Sequence, residues 1–314
     1  MRDVTAPKIE IMLQRLREKT GVPEGIRTPD LRFRKPLLYP AELPGRALHY
    51  SRKARRHSRA LWLTTFILLH PALALAQNCP GPEQQAGAVT RIHPRLEIEI
   101  ADGRRIRPAH LAQFESTPRG AMHAARARSA LENWTRTTGL VLPQRVPLAD
   151  RWGRIVTQTF LPSGEDLGLR LVAEGLARVA PTGTDPCLLR LLAAETAARR
   201  AKLGLWADSH YAVLAAGQPA ALAAHAGEFV IVDGVVQRIG QTPTRFYLEF
   251  GPARTGNLSV TFSRQTAKSF ADAGLVPEDM AGRLIRIRGM LDMRPHPQIE
   301  IYTPAAIEVT EKKL

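Results

Sequence analysis

Cysteine is almost missing from this chain: Cys79 and Cys187 are the two in 314 residues, so at most one disulfide can form. Long apolar runs are missing too. The stretch from Ala60 to Leu69 is closed by His70-Pro71, well short of the roughly 20 apolar residues that cross a bilayer. No methionine lies between Met12 and Met122, so a start within that gap requires a non-standard codon. Acidic residues are scarce relative to basic ones, 29 against 44, for a net charge of +15. That balance points to an acidic partner, with nucleic acid and a membrane surface both fitting. The excess is concentrated at the front. Residues 1 to 76 hold 15 Lys+Arg and 6 Asp+Glu, leaving 29 against 23 for the rest.

What is present at the front has no folding pattern. Gly21 to Gly45 is rich in Pro and Arg with neither helical nor strand periodicity, so residues 1–50 read as a spurious or disordered extension. The stretch is similar to the peptide produced when a transfer-RNA gene is read as coding sequence. Residues 51–76 read as a signal peptide: basic Arg52, Lys53, Arg55, Arg56 and Arg59, then the apolar run, then Ala74-Leu75-Ala76 as a small-x-small cleavage pattern. The expectation is cleavage after Ala76, a periplasmic or secreted product, and no stable membrane anchor. In an oxidising compartment Cys79 and Cys187 can tie the new N-terminus to the body of the first domain. Two unrelated thiols are the other reading.

From Gly87 the pattern turns to strands. Leu96 to Ile100 alternates with period 2, Asp102-Gly103 marks a hairpin, and Arg104 to Ala109 resumes. Thr117 to Thr135 is helical in character, and Gly139 to Pro147 and Ile155 to Phe160 give further strands. Asp166 suits the N-cap of a short helix ended by Gly175, and a second helix runs from about Asp185 to Lys202. Three segments carry more than secondary structure: Asp150-Arg151-Trp152-Gly153-Arg154, Leu171-Val172-Ala173-Glu174-Gly175-Leu176-Ala177-Arg178-Val179, and Lys202-Leu203-Gly204-Leu205-Trp206.

Those three segments, in that order, resemble the thermonuclease (staphylococcal nuclease) family. The resemblance implies a β-rich α+β fold over residues 77–213, an OB-type barrel with three helices. It also implies phosphodiester hydrolysis of DNA or RNA, with two arginines gripping the phosphate, a glutamate activating water, and calcium held by aspartates. Carried over by motif, these are Arg107, Arg154 and Glu115 as the catalytic set. Arginine suits the task because its fork bonds two phosphoryl oxygens at once. The calcium ligands are not matched: the family's aspartates fall on Pro94, Leu96 and Ala112, which offer no side-chain oxygen. A metal site is therefore not expected. The rival expectation is a catalytically degenerate module that binds nucleic acid or another polyanion in the cell envelope.

Residues 214–226 are Ala-rich and read as a linker. Residues 227–310 then show strand, strand, strand, helix, strand, strand, the order of a second small OB-type β-barrel. Arg286 and Arg288 alternate with Ile285 and Ile287, so they are the candidate nucleic-acid-binding residues of this domain. Tyr247 and Tyr302 are its tyrosines for base stacking. A barrel that merely packs on the first domain or on another protein is the alternative. Oligomeric state has no signal in the sequence.

Overall fold

The computed structural model describes Cys79 and residues 81–183, 185–251 and 257–310. The extension expected at 1–50 and the signal peptide expected at 51–76 lie outside the described residues. Among those described, no helix is long and apolar enough to cross a membrane.

The first half is built on six short strands: β1 (Gln84–Gly87), β2 (Val89–Ile92), β3 (Ile98–Ile100), β4 (Arg105–Pro108), β5 (Leu140–Leu142) and β6 (Arg154–Thr157). They form a β2-β3-β4-β6 sheet and a β1-β5 pair. Gly87, at a φ of 113°, is where the first strand bends from one to the other. The join that matters for function is β4 beside β6. These strands run parallel with Arg105 opposite Arg154 and Arg107 opposite Val156. Their alternation buries Ile106 and Ile155 and turns Arg105, Arg107 and Arg154 to the other face.

Three α-helices brace this half: α1 (Pro118–Thr135), α2 (Leu167–Ala173) and α3 (Leu188–Arg200). Thr117 caps α1 by accepting from the Gly120 backbone N–H at 3.1 Å, with Pro118 in the first turn. Asp166 caps α2 in the same way, accepting from Leu169 N–H at 3.0 Å. The glycines of the two C-terminal motifs meet each other. Gly175 and Gly204 both have positive φ, and a Cβ on either would lie 2.2 Å from a carbonyl oxygen of the opposing motif. Only glycine fits where these segments cross, which is why both appear in the pattern. Cys79 and Cys187 are joined by a disulfide with Cα atoms 5.3 Å apart.

Residues 214–226 differ from a free tether. Leu214–Ala215 is a strand, β7, that lies parallel to β8 (Phe229–Val235), and only Pro219–Ala223 is helical, α4. Gly217 and Pro219 interrupt the Ala-rich run and keep the helix short. The second half continues with β9 (Arg238–Gln241), β10 (Arg245–Glu249), β11 (Ser259–Ser263), α5 (Arg264–Asp272), β12 (Leu284–Asp292), β13 (Gln298–Glu300) and β14 (Ile307–Val309). Its sheet runs β7-β8-β12-β13-β11-β10-β9, with β14 on β12. The two halves repeat one wiring. In each, the first strand is split by a bend, a helix follows the strand that corresponds to β4, and that strand pairs in parallel with the last of the core strands: β4 with β6, and β11 with β13.

Each half has its own apolar core, one around Ile98, Ile106, Leu140 and Leu171, the other around Val232, Leu248, Phe262 and Ile287. A third, small cluster of Leu205, Trp206, Tyr211 and Ile231 lies where they meet. The motif tryptophan thus packs at the seam.

Candidate nucleic-acid interface

The Asp150 turn is held by one carboxylate. Asp150 Oδ1 accepts from the backbone N–H groups of Trp152 at 2.9 Å and Arg154 at 3.0 Å, while Oδ2 accepts from Arg154 Nε at 2.9 Å and Nη2 at 2.8 Å. Gly153 takes the left-handed position, φ 73°. The Arg154 side-chain hydrogen bonds hold the Asp150 carboxyl down to about 2, and Asp150 in turn raises the Arg154 guanidinium above its ordinary range. Arg154 Nη1 reaches on to Glu97 Oε1 at 3.1 Å.

Around that turn lies a cavity of about 530 Å³ lined by Arg95, Glu97, Arg105, Arg107, Gln113, Trp152 and Arg154. Four guanidiniums and one carboxylate, Glu97, line it, with Asp150 adjoining through Arg154, an excess of positive charge. Neither Arg95 nor Arg107 has an ion-pair partner among the described residues. Arg107 donates instead to the Leu111 carbonyl at 2.7 Å, and the Gln113 amide oxygen, turned toward it, accepts from Nη1 at 3.0 Å and Nε at 2.9 Å. Burial and the neighbouring Arg154 charge push the Arg107 guanidinium below its ordinary pKa. A crowd of partly desolvated cations is relieved by an anion, and a phosphate fits the fork geometry. Trp152 stands at the rim, 54% exposed, with the guanidiniums of Arg151 and Arg154 at 4.0 and 4.7 Å from its ring.

Glu115 is the sequence-derived candidate that the structure does not bring here. Its carboxylate is buried in a pair with Arg178, while the Tyr211 hydroxyl donates to Oε2 at 2.9 Å. Arg178 also donates to the Phe229 carbonyl and lies over the Tyr211 ring. Of the expected Arg107, Glu115, Arg154 set, the two arginines line one pocket, and the glutamate is paired at the seam between the halves. The sequence signal for this was Arg178, which with Glu174 is one of two charges inside the otherwise apolar Leu171 to Val179 motif.

Burial pushes the Glu115 carboxyl up, but the Arg178 charge and the surrounding hydrogen bonds outweigh it, leaving the group below its ordinary 4.5. A carboxyl held lower in the folded than in the unfolded chain contributes stability above its unfolded pKa, and that contribution is lost as pH falls through the folded value. Urea unfolding midpoints are expected to drop as pH goes below about 4.5, and to drop less in Glu115→Gln. Identical acid dependence in both proteins would contradict the pairing.

Arg286 and Arg288, the candidates of the second half, are both engaged within the protein. The alternation is right, since both point away from the Ile285 and Ile287 core, but that outer face is not solvent. Arg288 is fully buried, donating to Glu195 Oε2 at 2.5 Å, to the Val179 carbonyl at 3.3 Å, and to Glu308. Arg286 is committed to Asp233 in a two-bond fork, 2.8 and 2.7 Å. Arg288 holds the second half against the first.

Calcium of the family type does not fit. Leu96 and Ala112 are buried apolar groups, Pro94 offers no side-chain oxygen, and the lining carboxylate Glu97 is taken by Arg154 and by Arg105 at 3.6 Å. A site crowded with guanidiniums repels a divalent cation that wants six to eight oxygens. Nor do the histidines near this sequence region form a metal set: His93 pairs with Glu99, His110 with Asp185 and His123 with Asp208.

Parallel strands that each contribute an arginine to one anion-suited pocket, braced by helices and closed by a tryptophan motif, define the class of module. Residues 110–208 match the family model described as Staphylococcal nuclease homologue, and this stretch is a staphylococcal nuclease-like domain. The matched span begins three residues after Arg107 and includes Glu115 and Arg154. A comparison with curated proteins found no match. A domain of this kind suits a nuclease or a nucleic-acid-binding protein.

Proposed function

We propose that this is an exported nucleic-acid-binding protein whose staphylococcal nuclease-like domain is catalytically degenerate. It grips phosphate through Arg107 and Arg154 and does not use Glu115 to activate water. The observation that carries this reading is the commitment of Glu115 to Arg178 and Tyr211. With the lining carboxylate Glu97 paired to two arginines and no side-chain oxygen at Pro94, Leu96 or Ala112, the pocket keeps the means to hold a phosphodiester and has little with which to cut it. Both halves are read as OB-type barrels, supported by the bent first strand and the parallel pairing in each. Export rests on the leader at 51–76 and fits the disulfide.

Trp152 supplies the base-stacking element of this reading. A ring at the rim of an arginine pocket favours single strands, whose bases are free to stack. Trp152→Ala is expected to weaken binding of a fluorescent single-stranded oligonucleotide about tenfold and to leave duplex binding nearly unchanged. Affinity that does not weaken with rising salt would contradict phosphate contact altogether. A second reading, weak hydrolysis, is favoured by one observation: Glu97 lies in the pocket. Under it, cleavage would depend on Glu97 and not on Glu115.

A further inference from the structure

We propose that His210, His225 and Glu228 form a binding site for a divalent transition-metal ion of the zinc type at the seam between the two halves. His210 sits in the 3-10 turn Ser209–Tyr211 that follows the first half, and His225 and Glu228 flank the entry to the first long strand of the second. One ligand atom of each lies within 4.8 Å of the others. His210 Nε2 is 2.9 Å from Glu228 Oε2, and the two imidazoles stack with centroids 4.5 Å apart.

The hydrogen bonds of His225 point to the ligand. Its Nδ1 is 2.8 Å from the Ala221 carbonyl, and its Nε2 is 3.0 Å from the His210 carbonyl. Carbonyl oxygens only accept, so a neutral ring that donates from Nδ1 presents a bare Nε2 lone pair to another acceptor. A positive species between these groups removes the conflict. Nδ1–H bonded to a backbone carbonyl is the arrangement that fixes the tautomer of a metal-ligating histidine and aims its Nε2 at the ion. Two imidazoles and one carboxylate suit zinc and its neighbours and do not suit calcium or magnesium. Both His210 and Glu228 are partly exposed, at 18% and 17%, so an ion can enter. Three protein ligands leave a fourth position for water. The chemistry differs from that of the family's calcium, and the residues are separate from the arginine pocket.

Bound there, the ion would tie the turn at 210 to the segment at 225–228 and strengthen the seam. The test is a zinc titration of the purified, chelator-treated protein by calorimetry and by competition with a chromogenic chelator. One equivalent is expected to bind, with a rise in melting temperature that grows with free zinc. Glu228→Gln and His225→Gln are each expected to weaken zinc binding by about 100-fold or more, while His93→Gln, away from the site, leaves it unchanged. Glu228→Gln keeps the shape of the site, so a metal-free melting temperature near that of the parent protein shows that the loss is not misfolding. No zinc binding by the parent protein, or binding that survives both substitutions, would overturn the proposal.

Discussion

Alanine at both Arg107 and Arg154 is expected to lower affinity for a single-stranded oligonucleotide by about 100-fold at roughly 0.1 M salt. It is also expected to flatten the plot of log affinity against log salt by about 1.4, since each phosphate contact to a single strand releases about 0.7 of a counterion. The two arginines differ in what else they do. Among the described residues Arg107 has no carboxylate partner, so Arg107→Ala removes a cation without stranding an anion and gives the cleaner single-site value, about tenfold. Arg154→Ala also leaves Glu97 with Arg105 alone and removes half of the Asp150 bonds, although the turn keeps its two backbone donors to Asp150. Arg154→Lys separates charge from fork: it retains the positive charge and loses the paired hydrogen bonds. Wild-type affinity and salt slope in a folded double variant would remove the arginine pocket from the account.

The largest stability effect belongs to the seam. Glu195 and Arg288 are both fully buried, and Glu195 also accepts from the Val179 backbone N–H at 2.7 Å. Glu195→Ala leaves the Arg288 guanidinium with Glu308 alone as a carboxylate partner and orphans that N–H. The expected cost is about 3–5 kcal/mol in urea unfolding, the usual size for a buried charge left uncompensated. Arg288→Met combined with Glu195→Gln is expected to recover most of it, because both buried charges are then gone and Glu308, 23% exposed, can be hydrated. A loss of less than about 0.5 kcal/mol in Glu195→Ala would mean that the pair does not hold the halves together.

What the sequence made legible was local. Asp150, Gly153 and Arg154 lie within five residues, and their bonds close a turn whose geometry follows from those residue types alone. The strand character of Arg104 to Ala109 and of Ile155 to Phe160 was legible too, whereas the shared face of the arginines follows only from the pairing of the two strands. The pairing of Cys79 with Cys187 was one of two open readings. What stayed hidden was long-range. Glu115 finds Arg178 63 residues away, and Arg288 finds Glu195 93 residues back. A charge destined for a buried partner looks in sequence like a charge destined for water. Arg288 shows the consequence: period 2 correctly turned it out of its own sheet, but a second module covers that outer face. His210, His225 and Glu228 escaped notice because their spacing fits no short ligand motif, and only the fold brings them within reach of one ion.

The measurement closest to the central claim follows binding and cleavage together in one sample. The purified protein would be incubated with labelled single- and double-stranded DNA and RNA, in calcium and in chelator, beside the Arg107→Ala/Arg154→Ala variant. A pocket that binds without cutting gives salt-dependent binding that the variant loses, with product no higher than in the variant under either condition. Multiple-turnover cleavage by the parent protein that disappears with the arginines would contradict it, and would mean that a carboxylate other than Glu115, with Glu97 the nearest, activates water in this pocket.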